Sequence, residues 1–136
     1  MPKNEEVLSA ESARTELDRL YEYYEVEIDS KNQDQTEAIE HYEPVILKGL
    51  RMGFIEFDET DGFTVIQKLR SGEVLKYKEM NGQAKITMDR KKENENLGKC
   101  YALLGSLSGM GENAIKKLKG PDLTRAENIG AMLLLS

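Results

Sequence analysis

The chain offers one histidine, His41, one cysteine, Cys100, and no tryptophan among its 136 residues. That inventory lacks the ligands for a Cys/His zinc site, the partners for a disulfide framework, and the histidines for a relay that would use several of them. Cys100 falls in the apolar run 97–107, where a thiol packs as a small hydrophobe, and activating it as a nucleophile would need His41 as its base. The stretch Gly105-Ser106-Leu107-Ser108-Gly109-Met110-Gly111 is glycine-rich, as phosphate-cradling loops are. It has neither the Walker lysine pattern nor a preceding parallel strand, so it reads as a turn between helices. Asp58, Glu59 and Asp61 crowd one turn without the spacing of a calcium loop. Acidic pairs such as Glu25/Glu27 and Glu37/Glu40 have no evident pocket to separate their pKa values, and they read as solvated surface. The residues thus point away from catalysis, with no cofactor and no metal expected, and toward binding.

Charge is unevenly spread. Through Glu43 there are thirteen acidic and four basic residues, a net −9; from Pro44 onward there are twelve acidic and fifteen basic, a net +3. The total of −6 opposes nonspecific phosphate binding, so nucleic acid is an unfavoured partner. The cluster Arg90-Lys91-Lys92, flanked by Asp89, Glu93 and Glu95, reads as a solvated helix face. A hydrophobic share of 39% against 32% charged residues is polar for a globular chain and implies a thin core completed by a partner. No run approaches the roughly 20 apolar residues that cross a bilayer, and residues 1–7 lack a signal-peptide pattern. A lone cysteine suits a reducing cytoplasm.

These residues must be positioned by helices at both ends of a small sheet. Ser9 or Ser12 can cap a first helix whose stripe is Ala13, Leu17, Leu20, Tyr21 and Tyr24. Tyr21 and Tyr24 suit the core, and Tyr23 projects elsewhere as an interface residue. Residues 29–35 form a polar hinge. A second helical pattern carries Ala38, Ile39, Tyr42, Val45, Ile46 and Leu50, with Pro44 opening a fresh helix and Gly53 ending it. The period then changes to two. Strands at 54–57, 63–66 and 73–78, joined at Asp61-Gly62 and Ser71-Gly72 and closed by Asn81-Gly82, make a three-stranded antiparallel meander over about 54–78. Helices follow around Leu97–Leu107, stopped by Gly109, then around Ala114–Leu118, and finally from a capping box at Thr124–Glu127 through Ile129, Met132 and Leu133. The expected fold is α+β, with residues 1–35 an acidic helix and hinge, and 36–136 one α+β domain whose helical subdomain spans about 85–135.

Residues 97–134 resemble the tail assembly chaperones of long-tailed bacteriophages, in particular those of contractile-tail phages. The resemblance rests on Leu103-Leu104-Gly105-Ser106-Leu107-Ser108-Gly109, Ile115 to Leu118, Gly120-Pro121-Asp122 and Ile129 to Leu134, with Gly72-Glu73-Val74 upstream. It covers about residues 63–134, and the acidic extension through Tyr42 departs from the short members of the family. The resemblance implies a non-catalytic chaperone or scaffolding adaptor that shields apolar helices of the tape measure protein. Presenting leucine, methionine and tyrosine at helical spacing is how a groove receives a helix. The candidate partner-binding residues are Tyr101, Leu104, Leu107, Met110, Ile115, Leu118, Ile129, Met132 and Leu133. Tape measure protein or another helical client, and self-association, are the expected partners. The alternatives are a structural virion subunit, such as a tail terminator or connector, and an acidic inhibitor or nucleic-acid mimic.

Overall fold

Ser9 starts the first helix: its hydroxyl accepts the Ser12 amide at 3.1 Å, and α1 runs Ala10–Tyr23. The computed structural model describes residues 5–91 and 96–136. Asn32 caps α2, Gln33–Met52, through Gln35, so the polar break ends earlier than residue 35 and the boundary drawn there lies inside a helix. Gly53, at φ 78°, supplies the left-handed residue that closes α2.

Pro44 does not open a new helix. It lies inside an unbroken α2, against the sequence expectation. An interior proline costs roughly 3 kcal/mol. Tyr42, Ile46 and Leu50 bury one face on both sides of it, while Pro44 and Glu40 are exposed. Continuity therefore secures more buried surface than a break would.

The meander is β1 (Ile55–Asp58), β2 (Thr64–Lys68) and β3 (Val74–Tyr77), antiparallel in that order. Register pairs Ile55 with Gln67 and Gln67 with Leu75, and Val65 with Tyr77, so these alternate residues share the buried face. Gly49 lets α2 lie directly on β1, where an added Cβ would stand 2.5 Å from Ile55 Cδ1.

Asn81-Gly82 does more than end a strand. Asn81 accepts the Ala84 amide at 2.9 Å and caps α3, Gly82–Asp89, an element the sequence reading did not separate. Arg90, exposed, is the C-cap of α3 as a solvated basic residue would be, whereas Lys91 lies beyond the helix, half-buried, and pairs with Glu112 at 2.8 Å. Lys92, Glu93 and Glu95 lie outside the described residues, as do residues 1–4 of the stretch read for a signal pattern.

Then come α4 (Asn96–Ser108), α5 (Glu112–Lys116) and α6 (Gly120–Leu135). The last helix starts four residues before the expected capping box. Lys119 is its N-cap and Pro121 occupies the first turn, where a missing amide costs nothing. Thr124 donates to the Gly120 carbonyl, and Glu127 instead accepts the Tyr101 hydroxyl at 2.7 Å. The fold is α+β, six helices around a three-stranded sheet, and α1 contributes Ala13, Leu17, Leu20 and Tyr21 to the same core as the sheet and α6.

Candidate functional site

Six of the nine candidate binding residues are in the chain's own interior. Leu104, Leu107, Ile115, Ile129, Met132 and Leu133 are buried in the shared core. The α4 and α6 stripes close on each other and on the sheet, leaving those side chains no face for a partner. Tyr101 and Leu118 are half-buried, and Met110 is 57% exposed. The expected surface therefore has to be sought elsewhere.

It lies along the seam of α2 and α6. At one end, Pro44, Val45 and Lys48 of α2 face Pro121, Thr124 and Arg125 of α6 around a depression of about 450 Å³. At the other, His41 of α2 and Asn128, Ala131 and Leu134 of α6 join Leu97 of α4 around a second, of about 270 Å³. Residues 41, 45 and 48 recur at helical spacing on α2, as do 121, 124, 128 and 131 on α6, so both depressions lie on one side of an antiparallel helix pair. Pro121 to Leu134 spans about 20 Å at the helical rise of 1.5 Å per residue. Leu97 and Leu134, at 58% and 41% exposure, are apolar surface left open at the far end.

The α6 wall is fixed from below. Gln67, buried on β2, donates its amide to the Asp122 main-chain carbonyl at 2.8 Å and accepts the Tyr77 hydroxyl at 2.7 Å. Arg70 reaches the Asp122 carboxylate at 3.3 Å and the Lys119 carbonyl at 3.0 Å. The α2 wall is held by α1: the Tyr21 hydroxyl lies 2.8 Å from that of Tyr42 and donates to Glu43, which also takes Arg14 at 2.9 Å. Burial, followed by the bonds to Glu43 and Tyr42, pushes the Tyr21 phenol well above its ordinary range.

Chemistry-bearing residues found elsewhere have structural work. Asp58 accepts the Thr60 amide at 2.9 Å, its pKa lowered first by the Thr60 side chain and then by this main-chain bond, and Glu59 pairs with Arg19 at 2.7 Å. Gly111 is the N-cap of the short α5, with no side-chain cap bond. Cys100 is buried, and desolvation pushes its thiol up to about 12, far from a reactive thiolate at neutral pH. Tyr23 is 42% exposed, donates to Glu79 and stands 5.2 Å from the Phe63 ring. Among the described residues no group of three His, Cys, Asp or Glu gathers to hold a metal, and no helix is long and apolar enough to cross a membrane.

The sequence reading missed the groove residues because helical spacing shows a stripe but not which stripe remains uncovered. The outer stripe His41, Val45, Lys48 was visible as spacing; that it faces α6 is a tertiary fact. No protein-family model, no curated protein and no solved structure matches the chain.

Proposed function

We propose that this chain is a non-catalytic assembly adaptor of the phage tail assembly chaperone type, seating an apolar helix of the tape measure protein in the α2–α6 groove. The observation that carries the reading is the groove itself: two depressions on one seam, walled by Pro44, Val45, Pro121, Ala131 and Leu134, and long enough for about thirteen helical residues at 1.5 Å each. An apolar helix waiting to be enclosed in a tube gains by having its stripe covered, and a helix in a groove does that without one fixed sequence. The resemblance over residues 63–134 supports the choice of client.

The test is co-expression with tape measure fragments, followed by size-exclusion chromatography and composition analysis of purified virions. Co-elution with a helical fragment, and absence from finished particles, is the expected result. Stoichiometric presence in particles would favour a structural subunit. Failure of every fragment to bind would remove the chaperone reading.

A further inference from the structure

The groove's two ends are chemically different. Arg125 is built into the wall of the larger depression with its side chain 14% exposed, and its guanidinium carbon lies 3.9 Å from the centre of the Phe54 ring. Guanidinium carries five N–H donors, yet among the described residues Arg125 makes no hydrogen bond, and its Nη1 is buried without an acceptor. Its nearest anion is Asp122 at 3.5 Å, a carboxylate already approached by the main-chain amide and Nε of Arg70. A cation so far out of water, with its donors unmet, is costly until an acceptor arrives. Across the seam, Lys48 is exposed and pairs with no acid among the described residues.

We propose that the Lys48–Arg125 end of the groove reads a carboxylate, so that the seated helix carries an Asp or Glu beside its apolar stripe and is thereby fixed in register and direction. The inference rests on the groove reading above and adds the chemistry of its occupant. Charge complementarity selects the partner. Lys48, with no acid partner among the described residues, and Arg125, with a long 3.5 Å pair to Asp122, stand beside the apolar surfaces of Pro44, Val45 and Pro121, which suits an apolar helix bearing one acid. A purely apolar helix would leave Lys48 without an acid and Arg125 with only its 3.5 Å approach to Asp122. Arg125 lines the depression with its guanidinium carbon over the Phe54 ring, and a planar guanidinium can offer a carboxylate paired N–H donors, which a mobile lysine does not. A second copy of the chain fits less well. The apolar stripe of α1 is spent in the core, and its acidic outer face brings nothing to fill the apolar part of the groove.

The experiment uses the full chain and two synthetic fourteen-residue helical peptides with the same leucine stripe, one bearing a single Glu beside it and the other Gln at that place. Fluorescence anisotropy at low and high salt should show the Glu peptide bound about ten-fold more tightly, as a charge-assisted pair predicts. The preference should shrink with salt and disappear in Lys48→Glu, an exposed change that leaves the core intact, and in Arg125→Gln if that variant keeps its thermal midpoint. Equal affinity for the two peptides would overturn the carboxylate inference while leaving the groove reading standing. Binding of neither would overturn both. Self-association of the free chain that is abolished by Glu11→Gln with Glu22→Gln, two exposed acids of α1, would assign the cations to a second copy and overturn the proposal.

Discussion

Gln67 and Asp122 join the sheet to the last helix through a single buried bond, amide to main-chain carbonyl at 2.8 Å, and the same side chain receives the Tyr77 hydroxyl. Replacing Gln67 with Leu preserves much of the volume but leaves the Tyr77 hydroxyl and the Asp122 carbonyl without these partners. Urea unfolding should show a loss of about 2 kcal/mol, the cost of buried polar groups left unmet. Tyr77→Phe combined with Gln67→Leu should cost less than the sum of the two single changes, because each removes a bond the other needs.

Removal of residues 1–35 should abolish cooperative folding. Leu17 and Leu20 are wholly buried, and the Tyr21–Tyr42 contact at 2.8 Å would leave a buried hydroxyl behind. Circular dichroism and gel filtration of the truncated chain should show lost helix and aggregation. A folded monomer would mean that α1 is a detachable acidic arm, the condition an acidic mimic requires.

Alkaline pH should unfold the protein through groups held neutral by burial. Tyr24 is pushed up to about 12 from 10.0, and the Cys100 thiol to about 12 from 9.0, desolvation leading in both. A raised acid pKa means the neutral form is favoured by the fold. That stability is complete below the unfolded values and is lost as pH rises through them toward the folded ones. The thermal midpoint should therefore hold to pH 9, where the free thiol value lies, and fall between there and about 12. Phenolate absorbance should rise with unfolding rather than ahead of it, and Cys100 should resist thiol reagents at pH 8 until denaturant is added.

Two glycine substitutions should separate close packing from helix propensity. A Cβ on Gly105 would meet the Glu112 amide at 2.3 Å and the Gly111 carbonyl carbon at 2.4 Å, both main-chain atoms. Gly105→Ala should destabilise by about 1–3 kcal/mol, the usual cost of overpacking. Gly82, in the first turn of α3 with no atom near its added Cβ, should gain about 0.4–1 kcal/mol as alanine. Thermal denaturation of the two variants compares them directly.

Leu97→Ser should leave stability within about 0.5 kcal/mol, because that side chain is already 58% exposed. Affinity for a helical client should fall about ten-fold or more if the far end of the groove is covered in the complex. Calorimetry of unfolding beside anisotropy of binding reads the two effects apart.

Sequence periodicity carried the α+β layout because its signals are local. The alternation around Ile55, Val65 and Tyr77 needs no tertiary knowledge, and Ser9 and Gly53 mark helix ends by their own side chain or backbone. Where two signals competed, tertiary burial decided. Pro44 argued for a break, but Tyr42 and Ile46 flank it on one buried face. Thr124 and Glu127 had capping-box spacing, but Pro121 at an earlier turn took the start and Tyr101 took the carboxylate. The binding surface was the least legible part. Leu104 and Ile129 satisfy the same helical stripe whether they meet a client or each other, and burial within the chain consumed them. Arg125 carried no signal at all, since the burial that leaves its Nη1 without a hydrogen-bond partner is a product of tertiary packing.

Pro44 has one more effect. Without an amide hydrogen it leaves the Glu40 carbonyl with no rung to hold, so the two halves of α2 are joined by one fewer bond at the point where the groove changes character. Deuterium uptake should be graded along the helix: slow for the amides of Ile46 and Leu50, which sit over the sheet, and faster for those on the His41 side. A client that locks the halves together would slow the faster group first, giving a readout of occupancy that needs no label on the client.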